Sequence, residues 1–214
     1  MIPGRFISIE GGEGCGKSTQ ARLLVEWLRE RGLSAVLTRE PGGTPGAEAI
    51  RQLLLHPLGD QQWTPEAEAL LFAAARADHV SRLIEPALSD GCWVVCDRFV
   101  DSSLAYQGVA GGLGLEAIRA LHRFGSAGRL PDRTILLQVD AEQTARRLRA
   151  RDKGAGDAIG GRSSAYHARV AEAFAALAET EPERIVIVQA DDSLEEVHKR
   201  VRRAIEPMLS GSTN

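Results

Sequence analysis

Phe6-Ile7-Ser8-Ile9-Glu10-Gly11-Gly12-Glu13-Gly14-Cys15-Gly16-Lys17-Ser18-Thr19 joins an apolar run to a helical one. Phe6 to Glu10 reads as a buried strand. From Gln20 to Arg31, Ala21, Leu24, Trp27 and Leu28 recur at the spacing of one helix face. Between the two, Gly11 followed after four residues by Gly16-Lys17-Ser18 meets the phosphate-loop pattern. Glycines in such a loop let successive backbone N–H groups converge on an anion, and the helix N-terminus adds its partial positive charge. Gly11, Gly12, Glu13, Gly14, Cys15, Gly16, Lys17, Ser18 and Thr19 are therefore the expected triphosphate cradle, with Lys17 on the outer phosphates and the Ser18 hydroxyl on Mg²⁺. A glycine-rich turn without a ligand would not need this spacing together with Lys-Ser and a flanking strand and helix.

The other strands follow the same style. Ala35 to Arg39, Trp93 to Asp97, Ile135 to Asp140 and Ile185 to Gln189 are short apolar runs that end on a polar residue, with helical patterns between them. Trp93-Val94-Val95-Cys96 and Ile135-Leu136-Leu137 are continuous rather than alternating, as in parallel strands buried on both faces. The pattern predicts an α/β fold, a five-stranded parallel sheet flanked by helices. Ligands gather at the carboxyl ends of such strands, where Glu10, Arg39, Asp97 and Asp140 stand. Gly32 is the expected cap after the first helix, and Thr64-Pro65-Glu66 opens a long helix to about Ala77 or beyond. A basic helix from Glu142 to Ala150, a Gly-rich loop from Asp152 to Gly161, and helices from Ser164 to Glu179 and Leu194 to Leu209 complete the expectation.

With 214 residues and 43% apolar content, the chain is long enough for one sizeable core, and no low-complexity linker divides it. It is read as one domain spanning 1–214 with a lid at about 150–162. The net charge of −3 supplies no global basic field for nucleic acid. No apolar segment reaches membrane-spanning length, and the odd cysteines Cys15, Cys92 and Cys96 lack metal-ligand spacing, so a reduced cytoplasm is expected.

Several residues carry candidate chemistry. Asp97 closes a buried strand, where phosphate-loop proteins place a carboxylate that helps hold Mg²⁺; read alone, it also suits a helix cap. Arg98 beside it can fork onto a second phosphate. Arg39-Glu40-Pro41-Gly42-Gly43-Thr44 makes a tight turn near the sheet edge. Phe72 and Arg76, four apart, share a helix face; taken alone, a core Phe beside a surface Arg fits better than a base-stacking pair. Asp101-Ser102-Ser103-Leu104-Ala105-Tyr106-Gln107-Gly108 gathers hydroxyl and amide groups suited to a base or sugar edge. Arg146, Arg147, Arg149, Arg151, Lys153 and Arg162 suit either a lid that closes over triphosphate or a solvated basic face.

Taken together, these stretches resemble the bacterial thymidylate kinases over nearly the whole length. The likeness is carried by the phosphate loop, the Arg39 turn, Leu71-Phe72-Ala73-Ala74-Ala75-Arg76, Asp97-Arg98-Phe99 and Ser102-Ser103-Leu104-Ala105-Tyr106-Gln107-Gly108. The resemblance implies transfer of the γ-phosphoryl of ATP to dTMP with Mg²⁺, the metal held through Ser18 and Asp97. It implies Glu13 and Tyr106 by the sugar, Arg39, Arg51 and Arg98 near the acceptor phosphate, Phe72 stacked on thymine, and Arg76, Ser102, Ser103 and Gln107 at the remaining polar edges. It also implies a homodimer. Gly14 stands where one branch of the family has an Arg, which implies a catalytic Arg from the lid: Arg149, Arg151 or Arg162, besides Lys17 and Arg98. Many relatives read Asp-Arg-apolar-Glu there, whereas this chain reads Asp157-Ala158-Ile159-Gly160-Gly161-Arg162. Cys15, beside a helix N-terminus and Lys17, is a candidate oxidation-sensitive thiol.

Kinases of another nucleoside monophosphate or of a deoxynucleoside share the loop and lid, and differ at the Phe72 to Gln107 set. A GTPase switch would need Asn-Lys-x-Asp, yet the sole Asn is Asn214. A non-catalytic nucleotide-binding module sits poorly with Lys17, Ser18 and Asp97 all in place.

Overall fold

The structure, a computed structural model, describes residues 4–57, 62–140 and 161–209. Strands β1 (Phe6–Gly11), β2 (Ala35–Arg39), β3 (Trp93–Asp97), β4 (Arg133–Gln138) and β5 (Ile185–Gln189) form one parallel sheet in the order β2-β3-β1-β4-β5. The connection leaving β1 runs to one side of the sheet and the one leaving β3 crosses to the other. Their divergence opens a crevice at the carboxyl ends of these two neighbours.

Strand alternation explains two apolar layers. Phe6, Val94, Cys96 and Leu136 face one side, and Ile7, Ile9, Val95, Ile135 and Leu137 the other, all buried. Helices α1 (Lys17–Glu30) and α8 (Leu194–Leu209) cover the second face through Leu24, Leu28, Val201 and Ile205. The first face is covered by α3 (Pro65–His79), α6 (Leu115–Ser126), α7 (Ser164–Thr180) and the chain after β3. That chain is α5 (Val100–Ser103) followed by a wider π-helical turn, Leu104–Ala110. A second π-helical turn, Val80–Ile84, carries α3 on into α4 (Glu85–Ser89).

Local signals account for the boundaries. Gly32, at φ 76°, ends α1 with Gly32 N–H on Arg29 O at 2.9 Å and Leu33 N–H on Leu28 O at 3.2 Å. Thr64 caps α3 by accepting from Ala67 N–H at 3.3 Å, with Pro65 in the first turn. Helix α1 starts at Lys17 rather than Gln20, because Lys17-Ser18-Thr19 already forms its first turn. Strand β4 runs from Arg133 to Gln138, two residues earlier than the apolar run suggests, since its register on β1 begins with Ile7 opposite Arg133. Helices α2 (Pro45–Leu55) and α6 were not singled out in the sequence. The Glu142 to Ala150 helix and all of the Asp152 to Gly161 loop except Gly161 lie outside the described residues.

Candidate active site

Gly11, Gly14 and Gly16 have φ of 136°, 69° and 91°, so the loop between β1 and α1 curls back on itself. A Cβ at Gly11 would also stand 2.4 Å from the Leu137 carbonyl oxygen, across the β1–β4 pairing. No side chain caps α1 at Gly16, which leaves the helix N-terminus to the loop. Buried Lys17 donates from Nζ to Gly12 O at 2.5 Å. The Ser18 hydroxyl donates to Asp97 Oδ2, bringing the first turn of α1 against the end of β3.

Arg98 follows Asp97 with φ 70°, an uncommon conformation for a side-chain-bearing residue. Its guanidinium donates to Gly11 O at 3.1 Å, Ser102 Oγ at 3.0 Å and the Tyr106 hydroxyl at 3.4 Å, and lies 5.1 Å from the Tyr106 ring centroid. Fully buried Glu10 supports this arrangement: Oε1 accepts from Phe99 N–H and Oε2 from the Ser102 hydroxyl, each at 2.6 Å. Burial, reinforced by the charge of Asp101, pushes the Glu10 carboxyl from 4.5 up to about 7. For Arg98 burial opposes the charge, but Tyr106, Glu10 and Asp97 outweigh it and the net shift is upward. Arg98 is thus a fixed, permanent cation between the loop and α5.

The opposite wall comes from β2 and α3. Arg76 donates from Nε to Glu40 Oε2 at 2.7 Å and from Nη2 to Ser103 Oγ at 2.8 Å and Phe99 O at 3.4 Å. Glu40 Oε1 meets His79 Nδ1 at 3.0 Å, and His79 Nε2 meets Thr38 Oγ1 at 2.7 Å. All of these side chains are buried, so Arg76 is a held partner of Glu40 and not a surface Arg. Arg39 pairs with Glu48 at 3.1 Å, and Arg51 donates to Pro41 O at 2.8 Å. Gln107 donates from Nε2 to Glu68 Oε1 at 2.8 Å.

These walls enclose a cavity of about 250 Å³. Its lining includes Glu13, Arg39, Arg51, Phe72, Arg76, Arg98, Ser102, Ser103, Tyr106 and Gln107 together with Lys17, Ser18 and Asp97. The cations Lys17, Arg39, Arg51 and Arg98 therefore share one space with a set of polar and aromatic groups, in which Phe72 is a wall and not a core residue. The thymidylate kinase family model matches residues 9–201. The chain belongs to the thymidylate kinase family.

It is 56% identical over 208 residues to the thymidylate kinase of Rhizorhabdus wittichii, covering 97% of this chain and 100% of the relative. The thymidylate kinase of Symbiobacterium thermophilum is 50% identical over 204 residues, covering 95% of this chain and 94% of the relative. The solved thymidylate kinase of Ehrlichia chaffeensis superposes with a TM-score of 0.76 at 31% identity, over 95% of this chain and all of that one.

Within this family frame some residues stand apart from the cavity. Arg162 lines a neighbouring one, where it donates to Glu68 Oε2 and to the Tyr166 hydroxyl, the latter at 2.5 Å. Arg149 and Arg151 lie outside the described residues. Gly11, Gly12, Cys15, Gly16 and Thr19 shape the loop without lining the cavity. The Cys15 thiol is buried and donates to Gly12 O at 3.1 Å. Asp140 is likewise absent from the cavity lining, its N–H donating to Asp191 Oδ1 at 2.9 Å. Sequence reasoning did not find Glu68, although Glu68, Phe72 and Arg76 recur every four residues along one face of α3. Nor did it find Arg184, whose guanidinium holds Asp101 through two contacts of 2.7 Å.

Proposed function

We propose that this chain transfers the γ-phosphoryl of ATP to the 5′-phosphate of dTMP, giving ADP and dTDP for dTTP synthesis. The observation that carries the reading is that one cavity is lined both by Lys17 and Ser18 and by Arg39, Arg51, Arg98 and the Phe72 to Gln107 groups. The acceptor phosphate is largely dianionic at neutral pH, with a second pKa of ~6 as in a phospho-residue. It is already a nucleophile, so no general base is needed and catalysis rests on in-line positioning and charge neutralisation.

Each group has a part. Lys17 leaves Gly12 O for the outer phosphates of ATP, where the backbone of Gly11 to Thr19 cradles the chain. Arg98, Arg39 and Arg51 hold the acceptor phosphate; Arg98 is pre-oriented by Gly11 and Ser102. Glu13 and Tyr106 flank the sugar, Phe72 stacks on thymine, and Arg76, Ser102, Ser103 and Gln107 form the polar edge. Ser18 Oγ and the Asp97 carboxylate, hydrogen-bonded to each other, are adjacent hard oxygen donors and fit Mg²⁺. The chemistry supplied by bound Mg²⁺ is neutralisation of charge across the donor phosphates.

Gly14 stands where one branch of the family has an Arg, and the resemblance to the other branch implies a further cation from outside the loop. We assign it to Arg149, Arg151 or Arg162, in a single domain of residues 1–214 whose segment at about 150–162 acts as a lid. Arg162 would have to leave Glu68 for this role. A homodimer is proposed as well, supported by the exposed Leu70 and Phe124 on the packed helices α3 and α6; light scattering tests it. Among the described residues no helix is long and apolar enough to cross a membrane. A cytoplasmic enzyme without membrane or nucleic-acid partners is proposed.

The test is steady-state ADP release from ATP and Mg²⁺, with dTMP, dUMP, dCMP, dGMP, AMP, UMP and thymidine offered separately. Strong turnover with dTMP, weaker with dUMP and negligible with the rest is expected. Preference for another monophosphate would overturn the assignment of the base pocket, and no turnover with any acceptor would overturn the reaction.

A further inference from the structure

The hydrogen bond between Gln107 and Glu68 has a direction that chemistry imposes. Both side chains are buried; Gln107 lines the base end of the cavity, and Glu68 lies behind it, one turn before Phe72 on α3. A carboxylate only accepts, so the end of the Gln107 amide that meets Glu68 Oε1 at 2.8 Å has to be its NH₂. Arg162 donates to the other Glu68 oxygen and holds the carboxylate in place. The Gln107 carbonyl oxygen is left as the end of the amide that Glu68 does not engage, with no hydrogen bond among the described residues.

Arg76 shows the opposite polarity nearby. Its Nε and Nη2 are committed to Glu40, Ser103 and Phe99, while Nη1 has no hydrogen-bond partner among the described residues. The cavity edge therefore offers a donor from Arg76 and an acceptor from Gln107. Thymine and uracil present a carbonyl oxygen at C4 and an N–H at N3, which match both. Cytosine presents an amino group and a bare ring nitrogen, which match neither.

We infer that Glu68 is a positioning residue for base choice: by taking the Gln107 NH₂ it turns the Gln107 carbonyl oxygen toward the base and selects a ring N–H at N3. The inference rests on the thymidylate reading above. A site with buried polar groups committed in this way rejects a mismatched base because those groups are left unpaired.

The experiment compares kcat/KM for dTMP, dUMP and dCMP in the wild type and in Glu68→Gln. Glutamine in place of Glu68 can donate or accept, so the direction of the Gln107 amide is no longer imposed. The dTMP to dCMP ratio should fall by about tenfold or more, whereas the dTMP to dUMP ratio, which reports the C5 methyl, should stay the same. Glu68→Asp, which keeps the acceptor, should restore most of the dTMP to dCMP ratio and remains informative if Glu68→Gln does not fold. In a Gln107→Met background, Glu68→Gln should leave the ratio unmoved. A uniform loss across all three acceptors, or a further fall in the Gln107→Met background, would overturn the inference. A wild type that does not prefer dTMP to dCMP would instead overturn the thymidylate reading, before any variant is made.

Discussion

Glu10→Gln separates the cost of burying a carboxylate from the benefit of its hydrogen bonds. In the unfolded chain this carboxyl loses its proton near 4.5, and in the folded one at about 7. Between those values the folded state binds more protons than the unfolded state, so raising pH through the window favours unfolding. At about 1.4 kcal/mol per pH unit, the loss comes to roughly 3 kcal/mol between pH 4.5 and 7. Glutamine reproduces the protonated form: its carbonyl oxygen can accept from Phe99 N–H, and its amide can donate to Ser102 Oγ in place of a carboxyl O–H. It does not titrate. The stability of the wild type minus that of Glu10→Gln should therefore drop by roughly 3 kcal/mol between pH 4.5 and 8, with the variant gaining relative to the wild type as pH rises. Urea unfolding in half-unit pH steps reads this, because titrations of groups that do not interact with Glu10 cancel in the difference. A difference that stays constant across the window would refute the reasoning.

Two further outcomes rest on the same geometry. Lys17→Ala and Arg98→Ala should each lower kcat for dTMP by ~10²–10³ with circular dichroism unchanged, the scale expected for one well-placed transition-state donor; wild-type turnover in either would break the scheme. Arg184→Met leaves buried Asp101 without its cation and should cost about 3–5 kcal/mol in urea unfolding, most of it recovered in the double variant with Asp101→Leu.

The fold was legible where one signal sufficed. Short apolar runs ending on a polar residue marked all five strands, and Thr64-Pro65 and Gly32 marked helix ends because cap chemistry is local. Helix α2 begins with the same signature, Thr44-Pro45, and Thr44 does accept from Ala47 N–H at 3.3 Å. It went unread because Pro41-Gly42-Gly43 immediately before it reads as turn, and the glycine at position 46 weakens the helical pattern. The site divides along the same line. Residues proposed to meet ligand, from Lys17 to Gln107, stand mostly in contiguous motifs, and the structure brings them to the lining of one cavity. Residues that support the site from behind, such as Glu68 on Gln107, Arg184 on Asp101 and His79 on Glu40, act across separations of 39 to 83 positions. Single-sequence spacing cannot report such contacts. Glu10 shows why this matters for mechanism: its place at a strand end suggested a ligand, yet both oxygens are spent on Phe99 and Ser102. A carboxylate committed in this way does no chemistry on substrate. It fixes the turn that aims Arg98, and the energetic cost of its burial is the cost of that aim.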